Sequence, residues 1–299
     1  MELLKTDSLD AAVRELFGDS LRIADKRPVH GGDINRAYRL SLSDGSNLFM
    51  KCNTVRNLPF FTAEAQGLAA LRGAGAIGVP HALALGTDQA QGISFLLMEY
   101  LEPAPRVRNY WEVFGRELAA LHRTGTEKPK DGLPFGFASD NFIGASPQIN
   151  TPAADWITFF RDFRLLPQMK MAEGYFDPGT RRQCERLLER LDSYLEEPEF
   201  PSLLHGDLWS GNVVCGPDGK AWILDPAAYV GHFEAELAMT ELFGSFPAAF
   251  YEAYHEVSPI GTGYRDRRDL YNLYHLLNHL NLFGGSYLSS VRRLVSRYA

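Results

Sequence analysis

One stretch constrains this chain more than any other: Leu203-Leu204-His205-Gly206-Asp207-Leu208-Trp209-Ser210-Gly211-Asn212-Val213-Val214, with Trp222-Ile223-Leu224-Asp225 just beyond it. Two apolar runs bracket a polar loop that carries His205, Asp207 and Asn212, and the second run ends on a carboxylate. H-x-D-x-x-x-x-N with a downstream Asp is the catalytic-loop pattern of phosphotransferases. In that chemistry Asp207 accepts the proton of an attacking hydroxyl. Asn212 offers an amide oxygen, and Asp225 a carboxylate, to a Mg²⁺ that bridges ATP phosphates. The Gly216-Pro217-Asp218-Gly219 turn closes a short hairpin that would bring Asn212 and Asp225 to one edge. Two other readings compete. The polar residues could be plain turn formers with Asp225 capping a strand, or His205, Asp207 and Asp225 could be the ligands of a metal hydrolase.

The 299 residues have room for one large or two modest domains. A net charge of -7 argues against broad nucleic-acid binding. No apolar run approaches the ~18 residues that span a bilayer, and Met1-Glu2-Leu3-Leu4-Lys5-Thr6-Asp7 lacks the basic start and apolar core of a signal peptide. Cys52, Cys184 and Cys215 are scattered and form no C-x-x-C pair. A reduced, cytoplasmic setting and a protein without membrane or nucleic-acid partners are expected, acting as a monomer.

The first hundred residues read as strands with one long helix. Leu9 to Phe17 has helical spacing; Leu21–Val29, Ala37–Leu42 and Leu48–Cys52 read as strands. Gly31, Gly32, Asp33, Ile34 and Asn35 therefore lie at a tip between two strands. That position excludes a Rossmann or Walker motif, which needs a helix there. It suits a flap whose bare backbone approaches phosphate oxygens, though a plain turn fits the same residues. Lys51 sits inside an apolar strand, and Glu64 lies early in the helix Phe61–Leu71. A strand Lys paired with a helix Glu is how kinases aim an ammonium at ATP phosphates. Ala82–Thr87 and Ile93–Glu99 complete the strands. Met98-Glu99-Tyr100-Leu101 leaves the sheet as a connector, placed where kinase-like folds offer backbone groups to adenine. Strands dominate before Leu101 and helices after it, so the lobe boundary is set there: 1–101 and 102–299.

Helices are expected over Asn109–Arg123, from Thr151 as cap with Pro152 in first position, and over Thr180–Tyr194. Others follow over Glu234–Phe243, Pro247–Val257, Leu270–Phe283 and Tyr287–Tyr298. Phe135 to Ile149 reads as irregular. Trp156, Phe159, Phe160 and Phe163 form an aromatic stripe that reads as core. His275 and His279 stand one turn apart without an H-E-x-x-H pattern and read as buried polar residues. Only about ten residues separate Asp225 from the next helix. That is too short for an activation segment that seats a peptide, so the acceptor is a small molecule or one small group on a larger one.

Beyond the general pattern, the chain resembles the fructosamine kinase (ketosamine-3-kinase) family. The matching stretches include Gly31-Gly32-Asp33-Ile34-Asn35, Phe49-Met50-Lys51, Glu64-Ala65, Asp140-Asn141-Phe142-Ile143-Gly144, His205 to Asn212, Asp225-Pro226-Ala227 and Leu273 to Gly284. The resemblance implies an α+β, bilobal protein-kinase-like fold. Its N-terminal lobe is an antiparallel sheet plus one helix, and its C-terminal lobe is mainly helical. It implies ATP and Mg²⁺ as cofactors and phosphorylation of a sugar hydroxyl on a small-molecule or protein-bound ketoamine. Three departures stand out. His30 replaces a frequent Gly, and Phe233 and Glu236 stand where an Arg and an Asp are common. Other small-molecule kinases of the same fold, acting on aminoglycosides, choline or other sugars, and a non-catalytic nucleotide-binding protein remain alternatives.

Overall fold

The computed structural model describes residues 3–29, 35–124 and 132–299. Its N-terminal lobe is one six-stranded sheet in the order β1-β5-β6-β4-β3-β2. The strands are β1 (Leu4–Thr6), β2 (Ile23–Val29), β3 (Arg36–Leu42), β4 (Asn47–Thr54), β5 (Ala82–Asp88) and β6 (Ile93–Glu99). β4 and β6 lie at its centre, and β6 is buried almost throughout, which suits its unbroken apolar run. Alternation along β4 sorts the side chains. Leu48, Met50 and Cys52 pack with Leu9 and Val13 of helix α1 (Leu9–Phe17) on one face. Phe49 and Lys51 turn to the other face, over helix α2 (Leu58–Gly73). The sheet departs from an all-antiparallel one at β1, which pairs in parallel with β5. Gly86 permits that approach, since a Cβ there would lie 1.8 Å from the Thr6 carbonyl oxygen. Three residues with a Lys and a Thr among them carry no alternation to read, so this strand depends on its distant partner.

The remainder is helical, with short β-ribbons at the lobe junction. Helix α3 (Tyr110–Arg123) packs on α8 (Ala248–Val257), and α7 (Phe233–Leu242) on the long α9 (Tyr264–Phe283). Helices α6 (Pro178–Glu189) and α10 (Leu288–Tyr298) close the far side. The ribbons are β7 (Asn141–Ile143) with β8 (Ser146–Gln148), β9 (Ser202–Leu204) with β12 (Tyr229–Gly231), and β10 (Val213–Cys215) with β11 (Ala221–Ile223). One apolar core runs through both lobes, joining Phe61, Leu68, Leu96 and Met98 to Phe114, Leu203, Ile223 and Phe250.

Several expected boundaries move for local reasons. Residues 151–153 are extended, because Ala153 exchanges backbone hydrogen bonds with Phe135. Helix α4 (Trp156–Phe160) starts instead behind Asp155, which accepts from the Thr158 N–H, while Glu197 accepts from Trp156 and Ile157. A single π turn (Arg161–Leu165) then leads into α5 (Leu166–Met171). Pro167 cannot donate to the Phe163 carbonyl, and the Arg164 guanidinium takes it at 2.9 Å. The expected irregular stretch before Ile149 contains the β7–β8 hairpin. The aromatic stripe is core: Trp156, Phe159 and Phe160 are buried.

His275 and His279 are not gathered into a metal cluster among the described residues. Burial pushes the imidazole of His275 down to about 3, with the charges of His279 and Arg164 adding to it. His232 is likewise pushed down to about 3, by burial and then by Arg267. A folded-state pKa below the unfolded value means stability that is complete above about pH 6.5 and is lost as pH falls toward 3. Asp207, raised by burial, acts in the opposite sense, so the informative quantity is a difference. A His275→Asn variant should lose stability less steeply than wild type between pH 7 and 5, by up to about 1.4 kcal/mol per pH unit. Urea unfolding at each pH measures this, and parallel curves would show that His275 is not held neutral.

Candidate active site

The catalytic-loop residues are fixed by their backbone before their side chains act. Strand β9 delivers His205, and Gly206 takes φ of 83°. A Cβ at Gly206 would lie 2.1 Å from the Ala227 carbonyl oxygen, so only glycine fits this crossing. The buried Glu236 of α7 holds the loop from behind. Its Oε2 accepts from the His205 N–H at 2.9 Å and its Oε1 from the Gly206 N–H at 2.7 Å. His122 Nε2 lies 3.0 Å from the same carboxylate, and Tyr254 supports His122 at 2.8 Å. Burial alone would raise Glu236, yet these donors hold it below the usual carboxylate range. The Glu that stands where an Asp is common therefore still reaches the loop. Phe233 stacks on Phe200 at the helix start.

His205 is buried and neutral, its pKa lowered by burial. Its Nε2–H donates to the Leu224 carbonyl at 2.7 Å, and its Nδ1 accepts from the Asp207 N–H at 3.3 Å. Both ring nitrogens are thus occupied, and no group of three His, Cys, Asp or Glu forms a metal cage among the described residues. That removes the support for a metal hydrolase built on His205. Asn212 donates to the Asp207 carbonyl at 2.8 Å and turns back toward the Asp207 carboxylate at 3.3 Å. Burial, and then the nearby Asp225, push the Asp207 carboxyl up to about 7.

Asp225 lies two residues beyond β11 with φ of 59°, the one non-glycine residue with positive φ among the described residues. This costs of order 1 kcal/mol and aims its carboxylate at Lys51. Lys51 Nζ donates to Glu64 Oε1 at 2.6 Å and also to Asp225 Oδ1. Burial would lower the ammonium's pKa, but the two carboxylates outweigh it and hold the proton firmly. Glu64 is raised by burial, with Lys51 opposing. Both directions follow from a buried ammonium shared by two carboxylates, one largely enclosed (Glu64) and one open to solvent (Asp225).

The fructosamine kinase family model matches residues 6–299. The chain belongs to the fructosamine kinase family. It is 40% identical over 291 residues to the probable ketoamine kinase of Synechocystis sp., covering 95% of this chain and 94% of that one. It is 39% identical over 283 residues to the chloroplastic protein-ribulosamine 3-kinase of Arabidopsis thaliana, covering 94% and 84%. A Thermobifida fusca crystal structure assigned as a fructosamine-3-kinase superposes with TM-score 0.81 at 35% identity, over 97% of this chain and 98% of that one. An aminoglycoside phosphotransferase shares the fold, with TM-score 0.63 at 15% identity.

This kinase is an ATP-dependent phosphotransferase, and its residues fit ATP and a divalent cation. Glu64 and Asp225 share the single Lys51 ammonium, and the Asp207 carboxyl lies near Asp225, so the site has carboxylate to spare for a cation. Asn212 Oδ1 and Asp225 are the oxygen donors suited to it. The expected nucleotide contacts are placed unevenly. His30, Gly31, Gly32, Asp33 and Ile34 lie outside the described residues. Asn35 accepts from Asn53 Nδ2 at 2.9 Å. Met98 is buried, and Glu99 is taken up within the fold: its N–H donates to the His81 carbonyl at 3.1 Å and its Oε1 accepts from the His81 N–H.

Sequence reasoning treated Glu236 only as a departure, quoted Asn141 without giving it a role, and passed over His122 and Gln148, because their roles depend on partners far along the chain. Glu236→Ala would leave two buried backbone N–H groups without acceptors. It should cost about 3 kcal/mol or more in urea unfolding and sharply reduce activity. Wild-type stability in that variant would show that the loop does not rest on this carboxylate.

Proposed function

We propose that this kinase transfers the γ-phosphoryl group of ATP to a sugar hydroxyl of ketosamines, fructosamine- or ribulosamine-type adducts of amines or protein lysines. The observation that carries the reading is the convergence of Asp207 with the Lys51–Glu64–Asp225 cluster. The relatives named ketoamine kinase and protein-ribulosamine 3-kinase support the substrate class.

Lys51, aimed by Glu64, neutralises phosphate oxygens. Asn212 and Asp225 are the residues that would hold Mg²⁺, which supplies charge neutralisation between the phosphates. Asp207 orients the acceptor hydroxyl and takes its proton, and burial makes its carboxylate a stronger base than one in water. Asn212, bonded to Asp207, keeps base and metal ligand in register. Trp209, exposed two residues after the base and edge-on to Phe243, offers a ring to the acceptor. Three cysteines without disulfides suit a reducing cytoplasmic setting.

Asp207→Asn should lower kcat on the order of 10²-fold or more while ATP affinity stays near wild type, measured by ADP release over a panel of synthetic ketosamines. A kcat within a few-fold of wild type would remove Asp207 as the base. Asp225→Ala should raise the Mg²⁺ requirement far more than Asn212→Ala, because a carboxylate contributes more to a dication than an amide. Equal shifts in Mg²⁺ titrations would contradict that ranking. Turnover of aminoglycosides or choline with none on any ketosamine would move the substrate to another class.

A further inference from the structure

We propose that the β7–β8 hairpin is the positioning element of the phosphoryl-transfer site, locking helix α2 and the segment after Asp225 to each other; the proposal rests on the functional reading above. Two buried amides of the hairpin hold that segment. Asn141 Nδ2 donates to the Ala228 carbonyl at 2.8 Å, and Gln148 Nε2 donates to the Ala227 carbonyl at 2.9 Å. The Ala227 N–H in turn donates to the His205 carbonyl at 2.9 Å. The residues just behind Asp225 are thereby tied to both the hairpin and the catalytic loop. A left-handed Asp225 persists only where its surroundings over-determine it, and these bonds supply that determination.

The same hairpin grips α2, the helix that carries Glu64. Phe142 stacks on Phe60 with ring centroids 3.9 Å apart and planes inclined by 20°. Beside it, Ser139 Oγ donates to Gln66 Oε1 at 2.8 Å. Helix α2 also rests directly on the segment: a Cβ at Gly67 would lie 3.1 Å from Pro226 Cγ and 3.4 Å from Ala228 Cβ. Helix, segment and hairpin thus touch pairwise.

The hairpin is itself anchored in the helical lobe. Tyr274 donates to Gln148 Oε1 at 2.7 Å, and Asn150, bonded to Asn141 Oδ1, accepts from the buried Arg164 at 2.7 Å. The side-chain amides of Asn141, Gln148 and Asn150 are all paired, which favours one geometry for the hairpin, while the Arg164 Nε lacks a partner among the described residues. With only a short link from Asp225 to α7, the chain has no activation segment to set Glu64 and Asp225 about Lys51. The hairpin performs that task permanently, so the site is assembled without a modification step. Phe142, Asn141 and Gln148 are positioning residues in this scheme.

The test compares Phe142→Ala, Phe142→Tyr and Gln148→Met in the full chain, reading Mg²⁺-dependent binding of a fluorescent ATP analogue as well as kinetics. Phe142→Ala and Gln148→Met should each weaken Mg²⁺-dependent nucleotide affinity and kcat about tenfold or more, the usual worth of residues that orient metal ligands. KM for the ketosamine should stay within about twofold, and Phe142→Tyr, which keeps the stack, should restore both readouts. The double variant should lose less than the product of the single losses, since both act through one element. Variants that lower thermal stability but leave nucleotide affinity and kcat unchanged would overturn the proposal, as would strictly multiplicative losses. Nucleotide binding needs no ketosamine, so it judges the hairpin even if the acceptor is of another class.

Discussion

A single buried ammonium shared by two carboxylates, Lys51 between Glu64 and Asp225, is the contact on which the rest of the molecule depends. It joins the central strand of the sheet, the one long helix of the N-terminal lobe, and the loop that enters the helical lobe. Removing Lys51 would leave the largely enclosed Glu64 without its cation, at a cost of about 3 kcal/mol, whereas the solvent-open Asp225 would lose less. The apolar core running through both lobes has a related effect, because it fixes the distance over which these charges must meet. Lobe packing and site geometry are therefore one problem in this chain.

On the other side of the site, the catalytic loop is held by main-chain contacts. Glu236 gathers the His205 and Gly206 amides, His205 spans from Leu224 to Asp207, and Gly206 makes room for Ala227. Each side chain that would meet substrate is thus backed by one that would not. The loop so held keeps the Asp207 carboxyl in the buried place that raises its pKa.

How far the sequence could be read follows from how local each signal is. Lys51 and Glu64 stand on elements with clear periodicity, and the Gly216–Gly219 turn alone implies the hairpin between Asn212 and Asp225. The strand at Leu4–Thr6 was invisible because its partner is some eighty residues away. Helix α4 starts later than Pro152 suggests because Phe135 claims the preceding backbone, a contact no local rule contains. Asn141 and Gln148 read as part of an irregular stretch, and Asn150 carries no local signal. Their meaning lies in carbonyls near Ala227 and in Arg164, which meet them only after the chain has folded.

Together, the family membership and the Lys51 charge cluster describe a kinase whose site is set by its fold, with the Asp207 carboxyl already desolvated and Lys51 already held between two carboxylates. The most direct measurement follows the label from [γ-³²P]ATP in the presence of a fructosamine or ribulosamine and identifies the labelled carbon–oxygen position by NMR. The expected result is one phosphoryl group on a sugar hydroxyl for each ADP formed, with transfer by Asp207→Asn slowed on the order of 10²-fold or more. Label released only as free phosphate, or ketosamine consumed equally without ATP, would contradict phosphoryl transfer to the sugar.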